Sequence, residues 1–464
     1  MTADAANPAL GKARERSSTA ASALAFRLLT LIVASHPLLW LLGLDQFAYP
    51  FLLMLPATLL ISSRRSVYLS NVLLALISFL AVFLLSGLFI VESERYLTFL
   101  KNLSTYVTAA LLLVVVPGTV TSWRRARQLL GALLFAVGVS GLVGLAAASG
   151  VWRPQFTSLA SAFLPSSVAE TALGRTIAER NLGWTSWFAG LGSYFRIKGL
   201  YLWPTSYAPV LVLTLPVAAY LAWRSRRTVS RLVLWALVLV LGVNLVFTTG
   251  RVAFAALGVA ALYWLLIDKR GLSRLLRTLA VIVAVALMAG VALYEPVTID
   301  LAEQLQEVVF ARGTGSPESR MTIYRTTLTG FLERPIFGWG TERSIAGVSD
   351  SFIYPAGSHS YYLGVMYRHG IVGLACFALI WLAIWRVVSA PLRFRHAAPV
   401  LDDGPSGLLT VGRGVVVAAL LMGLTLAFDL DAGLMFVWWL LVSVFVAVQR
   451  LPALGSEARE VVHL

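Results

Sequence analysis

The sequence predicts an all-α polytopic membrane protein with about twelve transmembrane helices. Of its 464 residues, 58% are hydrophobic and only 13% are charged, whereas a soluble domain is about 45–50% apolar and about 25% charged. The apolar residues fall in repeated runs of roughly 20, each long enough to cross a bilayer core. A membrane β-barrel would instead show alternating segments of about 10 residues.

The apolar runs follow one another along the whole chain. In chain order the predicted spans are 23–44, 47–61, 67–91, 97–116, 128–148, 201–223, 232–247, 252–267, 279–294, 361–388, 415–428 and 433–448. Pro37 lies inside the first span and predicts a kink there. Residues 1–22 and 449–464 are polar and are predicted to be cytoplasmic tails, which leaves 23–448 as the membrane domain.

The distribution of basic residues predicts that both termini are cytoplasmic. Cytoplasmic connections carry an excess of Lys and Arg, so every even-numbered connection should be basic. These connections and the C-terminal tail hold Arg64, Arg65, Arg124, Arg125, Arg127, Arg224, Arg226, Arg227, Arg231, Lys269, Arg270, Arg274, Arg277, Arg386, Arg393, Arg395, Arg413 and Arg450. The short odd-numbered turns are acidic or neutral, as Asp45, Asp429 and Asp431 show. The two long loops, 150–200 and 295–360, are therefore predicted to be extracytoplasmic.

Composition also excludes several classes of protein. The net charge of +15 is mostly explained by topology, and no soluble basic domain is present that would bind nucleic acid. The single cysteine, Cys376, lies in an apolar run, which excludes intramolecular disulfides and cysteine-cluster metal sites. The polar N-terminus lacks the short apolar segment and cleavage site of a signal peptide, so none is expected.

A second set of basic residues lies on the predicted outer face, where topology does not explain it. Its members are Arg153, Arg175, Arg180, Arg196, Lys198, Arg251, Arg312, Arg320, Arg325, Arg334, Arg343 and Arg368. Several belong to the stretch 295–373, the longest polar interruption in the chain. An anionic, lipid-linked substrate on the outer face would explain them.

Three of these residues are candidate phosphate ligands. Arg251 lies in a short connection between two apolar helices, while Arg196 and Lys198 immediately precede the sixth span. A guanidinium group can bind phosphate oxygens bidentately. The alternative is an interfacial belt, in which Arg and Lys side chains extend to the lipid headgroups. The residues by themselves leave both interpretations open.

His359 is the candidate general base. It stands at the outer mouth of the tenth span between Ser358 and Ser360, and imidazole titrates in the range that suits proton transfer. A hydrogen-bonded interfacial histidine is the alternative. No pair of His, Asp or Glu residues in the outer loops has metal-ligand spacing, so no metal site is expected.

Six short motifs occur in order between residues 195 and 374. They are Arg-x-x-Gly before a proline (Arg196, Gly199, Pro204), Thr-Gly-Arg (Thr249 to Arg251), Arg320, Pro-x-x-Gly-x-Gly (Pro335, Gly338, Gly340), His-Ser-x-Tyr (His359, Ser360, Tyr362) and Gly-x-x-Gly (Gly370, Gly373). Together with the predicted topology, this order resembles the O-antigen ligase and O-antigen polymerase superfamily of membrane glycosyltransferases. Ser360 stands where that pattern commonly has Asn, and His369 where an acidic residue is frequent.

The resemblance implies glycan transfer from an undecaprenyl-diphosphate carrier to a hydroxyl acceptor, without metal, nucleotide or other cofactor. The implied setting is the periplasmic face of the bacterial inner membrane. For a ligase the acceptor is the lipid A core, and for a polymerase it is another lipid-linked glycan. A transporter of the same lipid-linked glycan is the alternative from a different class. Transporters commonly contain related halves, and no internal repeat is visible in this sequence.

The resemblance also assigns roles to individual residues. Arg196 and Arg251 are expected to bind the diphosphate, with Arg320 and Lys198 as helpers. His359 is expected to deprotonate or orient the acceptor hydroxyl. In a separate and weaker expectation, Tyr362 and Trp339 stack against sugar rings.

Overall fold

The computed structural model describes most of the chain. The described residues are 8–63, 68–92, 95–164, 172–188, 192–266, 317–343, 356–357, 359–390 and 404–451. In chain order the helices are α1 (Pro8–Ala34), α2 (His36–Leu42), α3 (Ala48–Ser62), α4 (Asn71–Ser86), α5 (Tyr96–Thr119), α6 (Trp123–Ala148), α7 (Ala172–Ala178), α8 (Pro204–Arg224), α9 (Thr228–Thr248), α10 (Arg251–Leu266), α11 (Pro317–Glu333), α12 (Tyr361–Ser389), α13 (Gly404–Gly423) and α14 (Ala432–Gln449).

The described helices confirm an all-α polytopic membrane protein. Eight are long and apolar enough to cross a membrane, and a bent pair of helices, α1 and α2, can form a ninth span. Two shorter apolar helices, α3 and α10, coincide with the predicted second and eighth spans. The predicted ninth span, 279–294, lies outside the described residues. The total of twelve therefore stays a prediction.

The predicted kink at Pro37 is confirmed. The chain bends by 55° between α1 and α2, and Pro37 lies in the first turn of α2.

The predicted start of the eleventh span is wrong. Helix α13 begins at Gly404, eleven residues before the predicted start of 415. The Gly-rich sequence and Arg413 are typical of a loop, but Gly414 packs against the ring of Trp264, where a Cβ would clash. Arg413 lies within the helix and donates to the carbonyl of Val388.

Helix α14 lies at the centre of the membrane domain. The apolar, membrane-spanning part of α14 is 94% buried, whereas that of α9 is only 17% buried. A helix that is apolar on all sides is expected in the interior, and α14 carries the fully buried Trp438 and Trp439. Helix α9 instead presents a largely exposed apolar surface, as expected of a helix that faces lipid.

The first long loop contains β-structure that the sequence did not predict. Strands β1 (Phe156–Thr157) and β2 (Glu179–Arg180) pair antiparallel, as do β3 (Gly183–Phe188) and β4 (Gly192–Ile197). In the second hairpin Trp184 is opposite Arg196. The hairpin therefore delivers Arg196 and the following Lys198 to the start of α8.

Contacts between the described connections show which of them lie at the same end of the bundle. At one end Arg180 pairs with Asp45, and the N–H of Leu202 donates to Asp431, which joins the first, fifth and eleventh connections. At the other end Arg450 lies over the ring of Tyr68. Odd-numbered connections thus meet odd-numbered ones, as an alternating topology requires. Which end faces the periplasm stays a prediction.

Candidate active site

Arg196 lies against the junction that carries Arg251. Its Nε and Nη2 donate to the carbonyl oxygen of Thr248, at 3.2 and 3.1 Å. Thr248 ends α9, and the last carbonyls of a helix lack partners within the helix. Thr249 is left-handed, with φ of 51°, and Arg251 begins α10 two residues later. The tertiary structure therefore brings β4 and its Arg196 to the Thr-Gly-Arg motif, as the phosphate-site hypothesis requires.

Lys198 is buried two residues after Arg196. Its N–H donates to the carbonyl of Leu182 at 2.9 Å, and its ammonium lies 5.9 Å from the ring centre of Trp184. Burial, together with the positive charge of Arg180, lowers the pKa of Lys198 to about 8. The carboxylates of Asp45 and Asp431 oppose this shift only in part. A partly titrated, buried lysine is more typical of a functional site than of an interfacial belt.

Buried carboxylates hold the segment that bears Lys198. One oxygen of Asp431 accepts from the N–H of Leu202 at 3.0 Å, and the other caps α14 through Gly433 and Leu434. Arg180 and Asp45 form a fully buried ion pair of 2.7 Å. From the sequence alone, Asp45 and Asp431 are interpreted only as acidic residues of short turns. Their position on the same face as the outer arginines was the signal for a structural role.

His359 occupies a strained backbone position at the start of α12. Its φ is 65°, in the left-handed region that is uncommon for residues other than glycine, and its side chain is half-buried. Ser360 follows as the N-cap, and its Oγ accepts from the N–H of Leu363. Such conformations cost about 1–3 kcal/mol and concentrate at functional sites. The strained backbone is therefore consistent with a functional role for His359.

The two residues expected to contact sugars make other contacts. Tyr362 donates its hydroxyl to the carbonyl of Leu420 in α13 at 2.8 Å. Trp339 donates to Gly330 at 2.7 Å, and guanidinium groups of Arg334 and Arg343 each lie 4.0 Å from a ring centre of Trp339. Their role in sugar binding stays a prediction, and these contacts weigh against it.

Arg368 is explained by a buried charge network. Its Nη1 donates to Glu342 at 2.7 Å, and its Nη2 to Asp429. All three side chains are almost fully buried. From the sequence, Arg368 is one of the outer basic residues that an anionic substrate would explain. In the structure its partners are instead two carboxylates of the protein. Glu342 and Asp429 are 87 residues apart in the chain, so no local sequence pattern predicts that both bind Arg368.

The Pro-x-x-Gly-x-Gly segment is bonded to a break in α12. The break is at Gly370, with φ of 66°, and Ile371 donates to the carbonyl of Pro335 at 2.8 Å. Trp339 donates to the carbonyl of Tyr367 at 3.1 Å. A Cβ on Gly338 would clash with the backbone of Tyr367 and Arg368, and a Cβ on Gly370 with that of Ile336, so these two glycines allow the two backbones to pack closely.

Arg320 and metal binding are less defined by the structure. The backbone of Arg320 lies in the first turn of α11, and its side chain is outside what the structure describes. Within the described parts of the chain, no group of three or more His, Cys, Asp or Glu residues could hold a metal ion. The absence of a metal requirement stays a prediction.

These features define a class: a polytopic membrane protein in which one odd-numbered connection brings Arg196 to another that carries Arg251. The O-antigen ligase family model matches residues 235–378, and this match supports the O-antigen ligase superfamily for the chain. It covers about a third of the sequence and includes Arg251, Arg320 and His359 but not Arg196 or Lys198. A comparison with curated proteins gives no match. The family implies a glycosyltransferase-like enzyme of the ligase or polymerase type.

Proposed function

We propose that the protein transfers a glycan from undecaprenyl diphosphate to a hydroxyl of the lipid A core. The reaction takes place at the periplasmic face of the bacterial inner membrane, with both termini in the cytoplasm and without a metal or cofactor. The proposal rests on the family match, on the multi-pass architecture and on one structural observation. That observation is the contact of Arg196 with the last turn of α9, beside the motif that ends in Arg251.

This contact supports a site for a diphosphate. Transfer breaks the bond between the anomeric carbon and the diphosphate, so negative charge grows on the leaving oxygen. Positively charged donors that are already in place stabilise such charge most effectively. Arg196 comes from β4 and Arg251 from α10, and each can offer a planar fork of donors to phosphate oxygens. Lys198 adds a third positive charge when it is protonated.

His359 supplies the proton acceptor in this proposal. The acceptor hydroxyl loses its proton to the imidazole as its oxygen bonds to the anomeric carbon, and the diphosphate leaves on its carrier lipid. A positioned base of this kind contributes about 10²–10⁴-fold to the rate. The left-handed backbone of His359 and the N-cap at Ser360 are the local features that support this role.

The test is a transfer assay with the purified full-length protein in lipid nanodiscs. Undecaprenyl-diphosphate-linked glycan and lipid A core should give a larger, glycan-bearing lipid A product. His359→Ala should abolish transfer, whereas Ser360→Ala, which keeps the imidazole and removes one capping bond, should retain measurable activity. Full activity of His359→Ala would refute the assigned base.

Two further arms of the assay separate the remaining possibilities. Elongation of the donor glycan when lipid A core is omitted would identify a polymerase instead of a ligase. Arg251→Lys keeps the charge but loses the bidentate fork, so it should slow transfer strongly. Arg325→Lys, at an exposed site on α11, is the matched control and should be close to wild type.

A further inference from the structure

Helix α11 has one face that packs on the protein. Ile323, Thr327 and Gly330 follow the spacing of a single helix face, and all three are buried. Thr327 accepts from the N–H of Gly357 at 2.9 Å, and Gly330 accepts from the indole of Trp339. This face therefore attaches α11 to the segment that leads to His359.

A second face of α11 is apolar, and two of its side chains, Leu328 and Leu332, are exposed. Tyr324, Leu328, Phe331 and Leu332 have the i, i+4, i+7, i+8 spacing of an amphipathic stripe. Leu332 is 73% exposed and Leu328 is 46% exposed. The remaining exposed positions beside this stripe are polar or charged: Thr322, Arg325, Thr329 and Glu333. An exposed apolar stripe next to a polar one marks an interaction surface.

The turn after α11 is bonded to α12 where the long apolar part of α12 begins. The turn after α11 bonds to α12 just past its break, through Ile371 to Pro335 at 2.8 Å and Val372 to Ile336 at 3.4 Å. From Ile371 to Ser389 a helix rises about 27 Å, close to the thickness of a hydrocarbon core, about 30 Å. A core that spans this part of α12 has Ile371 at one edge, and Ile336, 57% exposed, lies beside Ile371.

The connection between α4 and α5 continues the same apolar surface. Arg334 donates to the carbonyl of Phe89 at 3.0 Å, and the rings of Phe89 and Phe337 stack with centres 6.1 Å apart. Leu88, next to Phe89, is 79% exposed. Exposed apolar side chains of this connection and of the turn after α11 therefore lie side by side.

We propose that α11 is an interfacial helix whose exposed Leu328 and Leu332 are buried in the outer leaflet of the bilayer. Such helices bury an apolar face about 5–10 Å into the boundary between headgroups and acyl chains. Arg325 borders the stripe and extends to the headgroup phosphates, as basic side chains do at this depth. The occupant is phospholipid because this face is continuous with the lipid-facing surface of the spans. Through Thr327 and Gly357, the bilayer then sets the height of His359 above the membrane.

The test measures depth directly and does not require glycan transfer. The single cysteine is replaced by Cys376→Ser, and Leu328→Cys or Leu332→Cys is labelled with the fluorophore NBD in phosphatidylcholine nanodiscs. Thr322→Cys and Thr329→Cys, on the polar side of the same helix, are the matched controls. Lipids with a doxyl group at carbon 5 should quench the label at 328 and 332, and aqueous iodide should quench it about threefold less than at 322 and 329 because of that depth.

Two outcomes would overturn the proposal. Equal iodide quenching at all four positions would place α11 in water, and protection of 328 and 332 from both quenchers would mean that protein covers the face, such as a second copy of the chain. Unmodified protein provides a check that needs no substitution. In nanodiscs, hydroxyl radicals should oxidise Leu332 as slowly as the buried Ile323, and rapid oxidation of Leu332 would contradict the lipid contact.

Discussion

The N–H of Gly340 donates to the carbonyl oxygen of Arg368 at 2.7 Å. This bond joins the outer loop to α12 at the turn that precedes the break at Gly370. The same turn carries the guanidinium that binds Glu342 and Asp429. Two motifs that are 30 residues apart in the chain therefore form one packed unit beneath the segment with His359.

Replacing Gly370 with alanine should destabilise the protein. A Cβ at this position would lie 2.1 Å from the carbonyl oxygen of Ile336, and the backbone has φ of 66°. The left-handed conformation alone costs a residue with a side chain about 1–3 kcal/mol, and the clash adds to it. Thermal unfolding in detergent should show a lower midpoint for Gly370→Ala.

Gly258→Ala is the matched control for this prediction. It lies within α10, and an added Cβ would meet nothing within 4 Å. Alanine in a helix interior is more favourable than glycine by about 0.5–1 kcal/mol, so the midpoint should stay constant or rise. Equal effects of the two substitutions would contradict the close packing at Gly370.

Removal of the Arg368 side chain should destabilise the protein. Arg368→Ala leaves Glu342 and Asp429 buried without their cation, and an uncompensated buried charge costs about 3–5 kcal/mol. Urea unfolding followed by tryptophan fluorescence would measure the loss. Arg325→Ala, at an exposed position, should change the free energy of unfolding by no more than about 0.5 kcal/mol. Wild-type stability of Arg368→Ala would show that the ion pairs do not form.

Donor binding should weaken as pH rises through about 8. Burial lowers the pKa of Lys198 to about 8, so the ammonium that faces the diphosphate site in our proposal loses its charge there. The KM for the lipid-linked donor should rise above this pH in the wild type. In Lys198→Arg the guanidinium stays protonated, and KM should be flat between pH 7 and about 9. An identical pH profile for both proteins would remove Lys198 from the binding site.

The same shift has the opposite sign for stability. Between pH values of about 8 and 10.5, the ordinary pKa of lysine, the unfolded chain binds more protons at Lys198 than the folded protein does. Stability contributed by this group therefore rises with pH across that window. Lys198→Met, which carries no charge, should unfold with a weaker pH dependence, and an unchanged dependence would contradict the buried position of the ammonium.

Asp431→Ala should impair transfer as well as stability. The carboxylate caps α14 and also accepts from Leu202 in the segment that bears Lys198. Loss of a helix cap costs about 0.5–2 kcal/mol, and loss of the Leu202 bond should raise the donor KM. Ser122→Ala removes a cap from α6, through Arg125, at the other end of the bundle. It should lower stability without changing KM.

Sequence reasoning found the candidate residues but not their supports. Arg196, Lys198, Arg251 and His359 were identified from residue type, position and motif order, and the structure brings Arg196 to the junction of Arg251. Asp431 and Asp45 were read as topological turn residues. Their role depends on partners far away in the chain, Leu202 and Arg180, which only the packing of the bundle reveals.

The sequence by itself determined the membrane class and the order of the spans, because transfer of an apolar segment into lipid depends on that segment alone. The alternation of basic and acidic connections is local in the same way. The tertiary structure decided what long-range contact decides: the strand pairing that delivers Arg196, the glycine-lined start of α13 at Gly404 and the pairing of Arg368 with Asp429. Each depends on the shape and charge of residues that meet only after the helices have packed.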